Sequence, residues 1–297
     1  MNDKTPGKSF LIIGSKKFKK STVNAFIEES KEVFDKVTFV TVDKLEIHTD
    51  FGKAGLYYKG KNLLEAYDVV YPRFSSKDYL LGEAVLKVIE GSSIYCPVNL
   101  QSYQITNHKY YTAQRLADKG VPGIVTTFFM SPKFAELSVQ ETGYPVVMKL
   151  ISGFAGKGVV LIHDKKQLES ILDAVHLFEE FISMQKFIKG TNQDIRCYVI
   201  GKEVIAVQRT GKKGEWRANV SRGGTAQVLE VTEEMKKVSL DAATILGMDI
   251  CAVDLMRSQK GLVIIEVNFM PGPFMKYLGN DIIKSWVSFL RKKADGK

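Results

Sequence analysis

A glycine-rich loop between two apolar runs is the first candidate for chemistry in this sequence. Residues 149–162 read KLISGFAGKGVVLI, with glycines in the order GxxGxG at Gly153, Gly156 and Gly158. P-loops and dinucleotide loops have other glycine spacings and lead into a helix. Here the β-branched run Val159–Ile162 follows, which favours a strand. The loop is therefore predicted to join two strands of a hairpin, either as a flap whose N–H groups cover phosphates or as an ordinary turn.

Lys149 is the more informative cation of this stretch. It is the only charge between Pro145 and Ile151, a run that is apolar on both faces of the predicted strand. A lysine so placed needs a partner, which is either a protein carboxylate or a bound anion. Lys157, at the predicted tip of the hairpin, is interpreted either as a phosphate contact or as a solvent-exposed side chain.

Two carboxylates face each other in a second predicted hairpin, DICAVDLMRSQKGLVIIEVN. A three-residue loop at 259–261 with Gly261 left-handed would pair Ser258 with Leu262. Counting back from that pair, Asp254 lies opposite Glu266, with Cβ atoms about 5 Å apart.

The same register places Asn268 opposite Ala252, on the face of the two carboxylates. Like charges directly opposite each other are destabilising, and a divalent cation would resolve the conflict. Asp, Glu and Asn oxygens without His or Cys suit Mg²⁺, which shares ligands with phosphates. A shared proton and an ion pair with arginine are the alternatives.

Basic and hydrogen-bonding residues accumulate between these hairpins, in GEWRANVSRGGTAQ at 214–227. No acid lies between Glu215 and Glu230, and arginine forks suit phosphate or carboxylate. The residues of interest are Arg217, Asn219 and Arg222. Upstream, Asp194 and Arg196 alternate on one face of a predicted strand.

The elements that must position these residues change character along the chain. In residues 1–105 strands at 10–13, 36–42, 67–73 and 93–99 alternate with helices at 22–34 and 79–89, which predicts a parallel α/β sheet. Asn107 is predicted to cap the next helix. Lys109, in its first turn, opposes the helix dipole; a bound anion would relieve this, although a surface lysine is the simpler interpretation. From Thr126 onward, β-rich runs with glycine turns predict antiparallel hairpins, with helices at 165–176, 233–246 and from 281.

Composition excludes several classes of protein. The 297 residues carry a net charge of +9, but the lysines are spread along the chain, which argues against a nucleic-acid binder. Three cysteines without CxxC spacing argue against disulfides and zinc clusters. No apolar run approaches the length of a membrane span or a signal peptide. A cytoplasmic protein without a membrane or nucleic-acid partner is the expectation.

Taken together, these residues resemble the RimK-like branch of the ATP-grasp ligases, from about Tyr71 to the C-terminus. The motifs that carry the resemblance occur in the family's order and spacing. They are NHK at 107–109, VVMKL with GFAGKGV, QKFI at 185–188, DIRCYVIG at 194–201, WRANVSRGG at 216–224, VDLM at 253–256 and IEVNFMPG at 265–272.

The resemblance implies an ATP-grasp fold of mixed α/β and α+β class. An N-terminal parallel α/β domain at 1–105 precedes two α+β lobes, at 106–183 and 184–297, whose antiparallel sheets clamp ATP. It implies catalytic roles for Lys149 and Arg217, and two ions of Mg²⁺ or Mn²⁺ held by Asp254, Glu266 and Asn268. The implied ATP contacts are Lys109, Lys149, Gly156, Gly158, Gln185, Lys186, Phe187, Ile188, Asp194, Arg217 and Asn219. Among them, residues 185–188 are implied to form the hinge strand beside adenine.

Two departures from the family pattern concern the residues that recognise adenine and the substrate. Lys186 stands where many members have Glu, so the adenine contact there would use backbone or another side chain. FMPGPFMKYLG at 269–279 replaces a shorter SPG pattern in a segment that borders the substrate.

The implied activity is ADP-forming ligation of an amino acid, glutamate first, to an acceptor carboxylate through an acyl-phosphate. Acceptors of the family include peptides, protein tails, amino-group carrier proteins and glutamylated coenzymes, and members often self-associate. A non-catalytic ATP- and Mg²⁺-binding regulatory module is the alternative. It would bind nucleotide without turnover and would not need the full set of two lysines, arginine and metal ligands.

Overall fold

The computed structural model describes residues 7–50, 52–150, 158–176, 182–188, 192–218, 220 and 223–296. Several residues singled out above lie outside the described residues, namely Gly153, Gly156, Lys157, Asn219 and Arg222.

Fifteen strands are formed within the described residues. They are β1 (Ser9–Gly14), β2 (Lys36–Thr41), β3 (Glu46–Asp50), β4 (Lys53–Tyr58), β5 (Lys61–Asn62), β6 (Val69–Arg73), β7 (Thr126–Phe129), β8 (Val146–Leu150), β9 (Val159–Ile162), β10 (Ile182–Lys186), β11 (Gln193–Ile200), β12 (Glu203–Thr210), β13 (Thr225–Leu229), β14 (Ile250–Ser258) and β15 (Gly261–Asn268).

Ten α-helices connect or cover these strands in the same part of the chain. They are α1 (Lys20–Lys31), α2 (Leu63–Ala66), α3 (Tyr79–Glu90), α4 (Leu100–Asn107), α5 (Lys109–Ala117), α6 (Ala135–Thr142), α7 (Lys165–His176), α8 (Glu233–Leu246), α9 (Met275–Leu278) and α10 (Asp281–Asp295).

The N-terminal region contains the predicted parallel sheet, in the order β2-β1-β6. Strands β1 and β6 are buried along most of their length, as expected of strands that are covered on both faces, whereas β2 is only partly buried. The predicted strand at 93–99 is wrong: Tyr95 and Val98 form isolated bridges, to Val69 and Met248, and no continuous strand. Pro97 lacks the N–H group that a ladder strand would have to donate. A small antiparallel sheet, β3-β4-β5, was not predicted.

The cap predicted at Asn107 is also wrong. The chain is already helical from Leu100, because the Asn99 side chain accepts a hydrogen bond from the Ser102 N–H at 2.7 Å. Asn107 therefore ends α4, and His108 occupies the N-cap position of α5. Lys109 remains the first residue of α5, so its predicted position in the first helical turn is confirmed.

A four-stranded antiparallel sheet follows, in the order β7-β10-β8-β9. The predicted hairpin is confirmed in its two strands, since β8 and β9 pair antiparallel with Lys149 opposite Val159. Gly158 has φ +71°, a left-handed conformation that glycine adopts without strain. The glycine-rich loop therefore leads into a strand and not into a helix.

The C-terminal sheet has the order β13-β12-β11-β14-β15. Helix α8 packs on one face, where its buried side chains join those of β11 and β14. On the other face a second core connects the sheet with β1, β6 and α1 through Trp286 of α10, which is fully buried. The N-terminal sheet and the C-terminal sheet thus share one hydrophobic core.

The predicted helices at 165–176, 233–246 and from 281 are confirmed as α7, α8 and α10. The domain limits at 105/106 and 183/184 stay predictions, and strand β10 lies across the second of them. Among the described residues, none of the helices has the length and apolarity that crossing a membrane requires.

Candidate active site

The hairpin β14–β15 places the two predicted carboxylates opposite each other. Asp254 pairs with Glu266, and Ala252 pairs with Asn268, as the sequence predicted. All three oxygen-bearing side chains, from Asp254, Glu266 and Asn268, consequently share one face of the sheet.

The predicted loop of this hairpin is nevertheless wrong by one residue. Ser258 lies opposite Gly261, so the turn contains two residues and not three. A register shift between Asp254 and Leu255, the mark of a β-bulge, adds the missing residue and restores the predicted pairing further along the hairpin.

Asp254 lies at the centre of a row of buried charges that crosses three strands. Its carboxylate accepts two bonds from Arg196 on β11, from Nε and Nη2, each at 2.7 Å. Arg209 on β12 reaches the same carboxylate through Nη2 at 2.9 Å. Burial would raise the pKa of Asp254, but the two arginines together lower it below its usual value. Asp254 is therefore held as the anion.

Asp194 completes this row. Its two oxygens accept bonds from Arg209 at 2.5 and 2.7 Å. The order Asp194–Arg209–Asp254–Arg196, called here the charge row, alternates acid and base and is neutral overall. The arginine alternative that the sequence left open is thus realised at Asp254. The predicted nucleotide contact of Asp194 stays a prediction, and the geometry gives this residue a second task, which is to hold Arg209.

The oxygen donors fit a hard cation such as Mg²⁺. Asp254 uses three acceptor positions on arginines, which leaves one of about four. Glu266 is exposed and makes no hydrogen bond or ion pair within the described residues. The Asn268 amide nitrogen is buried and without a partner there. No cluster of three or more His, Cys, Asp or Glu occurs in the same part of the chain, so a metal site here would draw on the Asn268 amide oxygen beside the two carboxylates.

Lys149, on strand β8 of the four-stranded sheet, lies near the candidate metal ligands Glu266 and Asp254. The lysine is half-buried on β8, and burial lowers the pKa of its ammonium group to about 8. Glu266 and Asp254 act in the opposite direction, whereas Lys109 adds to the lowering. Lys149, Lys109, Asp254 and Glu266 belong to two sheets and a helix, and their charges are close enough to act on one another. Carboxylates and a second cation are thus near Lys149, and its pairing with a bound anion stays a prediction.

The predicted hinge at 185–188 runs from the end of β10 into the following residues. The Gln185 side chain donates to the Thr126 hydroxyl at 3.0 Å, so it holds β10 against β7. Lys186 is exposed, and its backbone N–H donates to the Val125 carbonyl at 3.0 Å. Phe187 packs edge-on against Trp216 with ring centroids 6.1 Å apart, which joins the hinge to the loop that carries Arg217. Ile188, the last predicted hinge residue, is half-buried.

Arg217 connects that loop with the flap hairpin. Its Nε donates to Glu215 at 2.9 Å, and its Nη1 donates to the carbonyl of Val159, the first residue of β9, at 3.2 Å. The side chain thus bridges the C-terminal region and the second strand of the flap hairpin. Its catalytic role stays a prediction.

Comparison with known proteins decides the family. The sequence profile of the RimK-like ATP-grasp domain matches residues 106–290. A protein of Aliivibrio fischeri (strain MJ11) named "Probable alpha-L-glutamate ligase" is 35% identical over 283 residues, which is 93% of each chain. The chain belongs to the RimK-like ATP-grasp family. A relative of the same name from Aliivibrio salmonicida is 38% identical over 252 residues, covering 82% of this chain and 83% of the relative.

Solved structures confirm the ATP-grasp fold. The ATP-grasp ligase PsnB, complexed with minimal precursor, Mg and ADP, superposes with a TM-score of 0.74 at 18% identity and covers 97% of this chain and 98% of its own. D-alanine–D-alanine ligase from Bacillus anthracis, complexed with ATP, gives 0.69 at 18% identity, with 97% of each chain covered. The RimK-like protein is thus an ATP-grasp ligase by family, and its fold is the ATP-grasp fold.

Two arginines at the centre of this RimK-like fold were missed by the sequence reasoning. A turn at Gly201 and Lys202 pairs Ile200 with Glu203, and counting back from it puts Arg209 opposite Asp194. That signal was available in the sequence. Arg73, the last residue of β6, offered only the weaker signal of a charge ending an apolar strand.

Proposed function

We propose that this RimK-like protein is an ADP-forming carboxylate–amine ligase that joins an amino acid, glutamate first, to an acceptor carboxylate. The observation that carries the proposal is the convergence of Lys149 and Lys109 with Asp254 and Glu266. Cations for phosphates and oxygen donors for Mg²⁺ are the two parts that phosphoryl transfer requires. The names of the curated relatives support glutamate as the amino acid.

The residues would divide the work between charge neutralisation and positioning. Lys149 and Lys109 would hold ATP phosphates, and Arg217 would approach the transferring phosphoryl group. Asp254, Glu266 and Asn268 would hold Mg²⁺, two ions in our proposal. Bound Mg²⁺ would neutralise the developing charge on the phosphate oxygens. The hairpin β8–β9 would exclude water from the acyl-phosphate. The acceptor carboxylate would take the terminal phosphoryl group of ATP, which releases ADP. The amine of the amino acid would then displace phosphate from the acyl-phosphate, so no Ser or Cys nucleophile is needed.

Release of ADP tests this function directly. Purified protein is given ATP, Mg²⁺ and a panel of amino acids, each with and without candidate acceptors ranging from peptides to glutamylated coenzymes. We expect ADP and phosphate in equal amounts only when glutamate and one acceptor class are both present, with a matching mass increase on the acceptor. Tight ATP binding without turnover across the whole panel would instead favour the non-catalytic alternative.

The pH dependence of ATP binding tests the assignment of Lys149. With a pKa of about 8, the free ammonium loses its proton as the pH rises through 8, whereas a bound phosphate favours the charged form. ATP affinity should therefore fall above pH 8, by at most about tenfold per pH unit, and binding at pH 9 should take up a proton. Calorimetry in two buffers of different ionisation enthalpy measures that uptake.

The matched variant for this measurement is Lys149→Met. It should bind ATP more weakly at pH 7 and lose the proton uptake at pH 9. An unchanged uptake in Lys149→Met would assign the titration to another group and remove Lys149 from the phosphate site.

A further inference from the structure

Arg73 lies at the point of the N-terminal parallel sheet where the strand order reverses. The chain moves from β1 to β2 on one side, and β6 flanks β1 on the other side. Open parallel sheets bind ligands at the carboxyl ends of the strands that flank such a switch point. Arg73 ends β6, and the Ser15 N–H beside the end of β1 donates to the Arg73 carbonyl at 3.0 Å.

Only half of the Arg73 guanidinium is used within the described structure. Its Nη1 donates to the Tyr71 hydroxyl at 3.2 Å and to the Pro271 carbonyl at 2.8 Å. The Nε atom is buried without an acceptor, and neither Nε nor Nη2 makes a hydrogen bond to a described residue. The edge formed by Nε and Nη2 is one that receives a carboxylate through two parallel bonds.

Burial makes this unused edge significant. Arg73 is 3% exposed, and no described carboxylate pairs with it. Aromatic rings surround the guanidinium, with the Phe18 centroid at 4.8 Å and that of Trp286 at 5.8 Å. Rings offset part of the cost of a buried cation but do not accept its in-plane hydrogen bonds. Phe18 is half-buried whereas Trp286 is fully buried, so Phe18 is the cover that would move to admit a ligand.

The loops that flank Arg73, after β1 and after β6, carry basic side chains. The Ser15 hydroxyl donates to that of Ser75 at 3.2 Å, which ties the loops after β1 and β6 together. Lys17 and Lys77 project from these loops and form no ion pair within the described residues, and Lys77 lowers the pKa of Lys17. The nearby acid, Asp78, is engaged by the backbone N–H and hydroxyl of Ser75, at 2.8 and 2.6 Å.

Arg73 adjoins the candidate active site. Pro271, which accepts the bond from Arg73, lies three residues after Asn268. The neighbouring Phe74 N–H contacts the Met270 sulfur at 3.0 Å. A ligand at Arg73 would therefore lie beside the segment that follows the candidate metal ligands.

We propose that the Nε–Nη2 edge of Arg73 is a subsite for a substrate carboxylate that does not react. The inference rests on the proposed ligase function only for the source of that carboxylate. It belongs either to the amino acid, which keeps its own carboxylates during ligation, or to the far end of the acceptor. In both cases Arg73 would hold one end of the substrate at the N-terminal region, while the reacting group would point toward the candidate metal ligands.

Fluorescence of Trp286 reports on this subsite without ATP, metal or turnover. The chain has two tryptophans, so Trp216→Phe leaves Trp286 as the single reporter beside Arg73. One arm titrates L-glutamate, and the other titrates an N-acetylated tripeptide that ends in glutamate and cannot act as the amine, both at constant ionic strength in chloride. We expect a saturable change with one of them, and the responding probe identifies the source of the carboxylate.

Arg73→Lys in the same background is the decisive variant. Lysine can keep one bond to Pro271 but loses the planar fork, so affinity for the responding probe should fall at least about tenfold. Lys16→Gln is the matched control, because Lys16 is already paired with Asp43 at 2.8 Å, and it should bind as before. If Arg73→Lys does not fold, the exposed pair Lys17→Gln/Lys77→Gln replaces it, with an expected weakening of about two- to fivefold.

Two results would overturn the subsite. One is the absence of any saturable response to either probe, and the other is equal affinity before and after the decisive substitution. Because binding is measured without ATP, a protein that binds the probe but releases no ADP would refute the proposed ligase function and leave the subsite standing. A working ligase with no response of Trp286 would do the reverse.

Discussion

Glu266→Gln should reduce glutamate-dependent ADP release by at least about a thousandfold while the protein remains folded. A bound metal contributes several kcal/mol of transition-state stabilisation, and each 1.36 kcal/mol corresponds to tenfold in rate. Glu266 carries the only carboxylate of the candidate metal ligands that the described arginines leave unengaged, so it has most to contribute to a cation. The amide of glutamine keeps the size of the side chain and removes its charge.

Binding of Mn²⁺ followed by electron paramagnetic resonance supplies the independent readout for this variant. Affinity for Mn²⁺ should fall together with turnover, and the melting temperature should be unchanged because Glu266 is exposed. Glu203→Gln is the control, since Glu203 is an exposed carboxylate on β12 of the same sheet, at the turn away from the site. Near-normal turnover in Glu266→Gln would remove this residue from the metal site.

The sequence could predict the pairing at the candidate site although it misplaced the turn. Asp254, Glu266 and Asn268 were identified from residue chemistry and alternation, which depend on local geometry. The turn is one residue shorter than predicted, and the β-bulge beside Leu255, which no local pattern indicated, offsets this difference. Agreement at Asp254 and Glu266 therefore came from two compensating differences.

Roles that depend on tertiary contacts were beyond the sequence pattern. Arg73 meets Pro271 across 198 positions of the chain, and no local period relates them. The cap at Asn107 failed for a related reason: a residue with good cap chemistry was already inside α4, whose start at Asn99 has the same chemistry. Local propensity offers several equivalent solutions, and packing selects one of them.

Replacement of Arg209 by methionine should destabilise the protein by about 3–5 kcal/mol, the usual cost of removing one partner from a buried ion pair. Arg209 is 5% exposed and stands between Asp194 and Asp254 in the charge row. Without it, Asp194 would lose the partner of both its oxygens, and Asp254 would keep only Arg196. Denaturant unfolding, followed by circular dichroism, measures the loss.

A double-mutant cycle separates the pairing from simple packing. Adding Asp194→Asn to Arg209→Met removes the stranded carboxylate, so the double variant should regain more than half of the lost stability. Lys237→Met is the control. The Lys237 Nζ and Asp241 Oδ2 atoms lie only 2.6 Å apart, but both side chains are exposed, so their ion pair should contribute no more than about 0.5 kcal/mol to the free energy of unfolding. Equal losses in the single and double variants would show that Arg209 acts through its alkyl chain. A recovery would show instead that burial, and not distance, gives the charge row its strength, and that Asp254 is held by a partner two strands away.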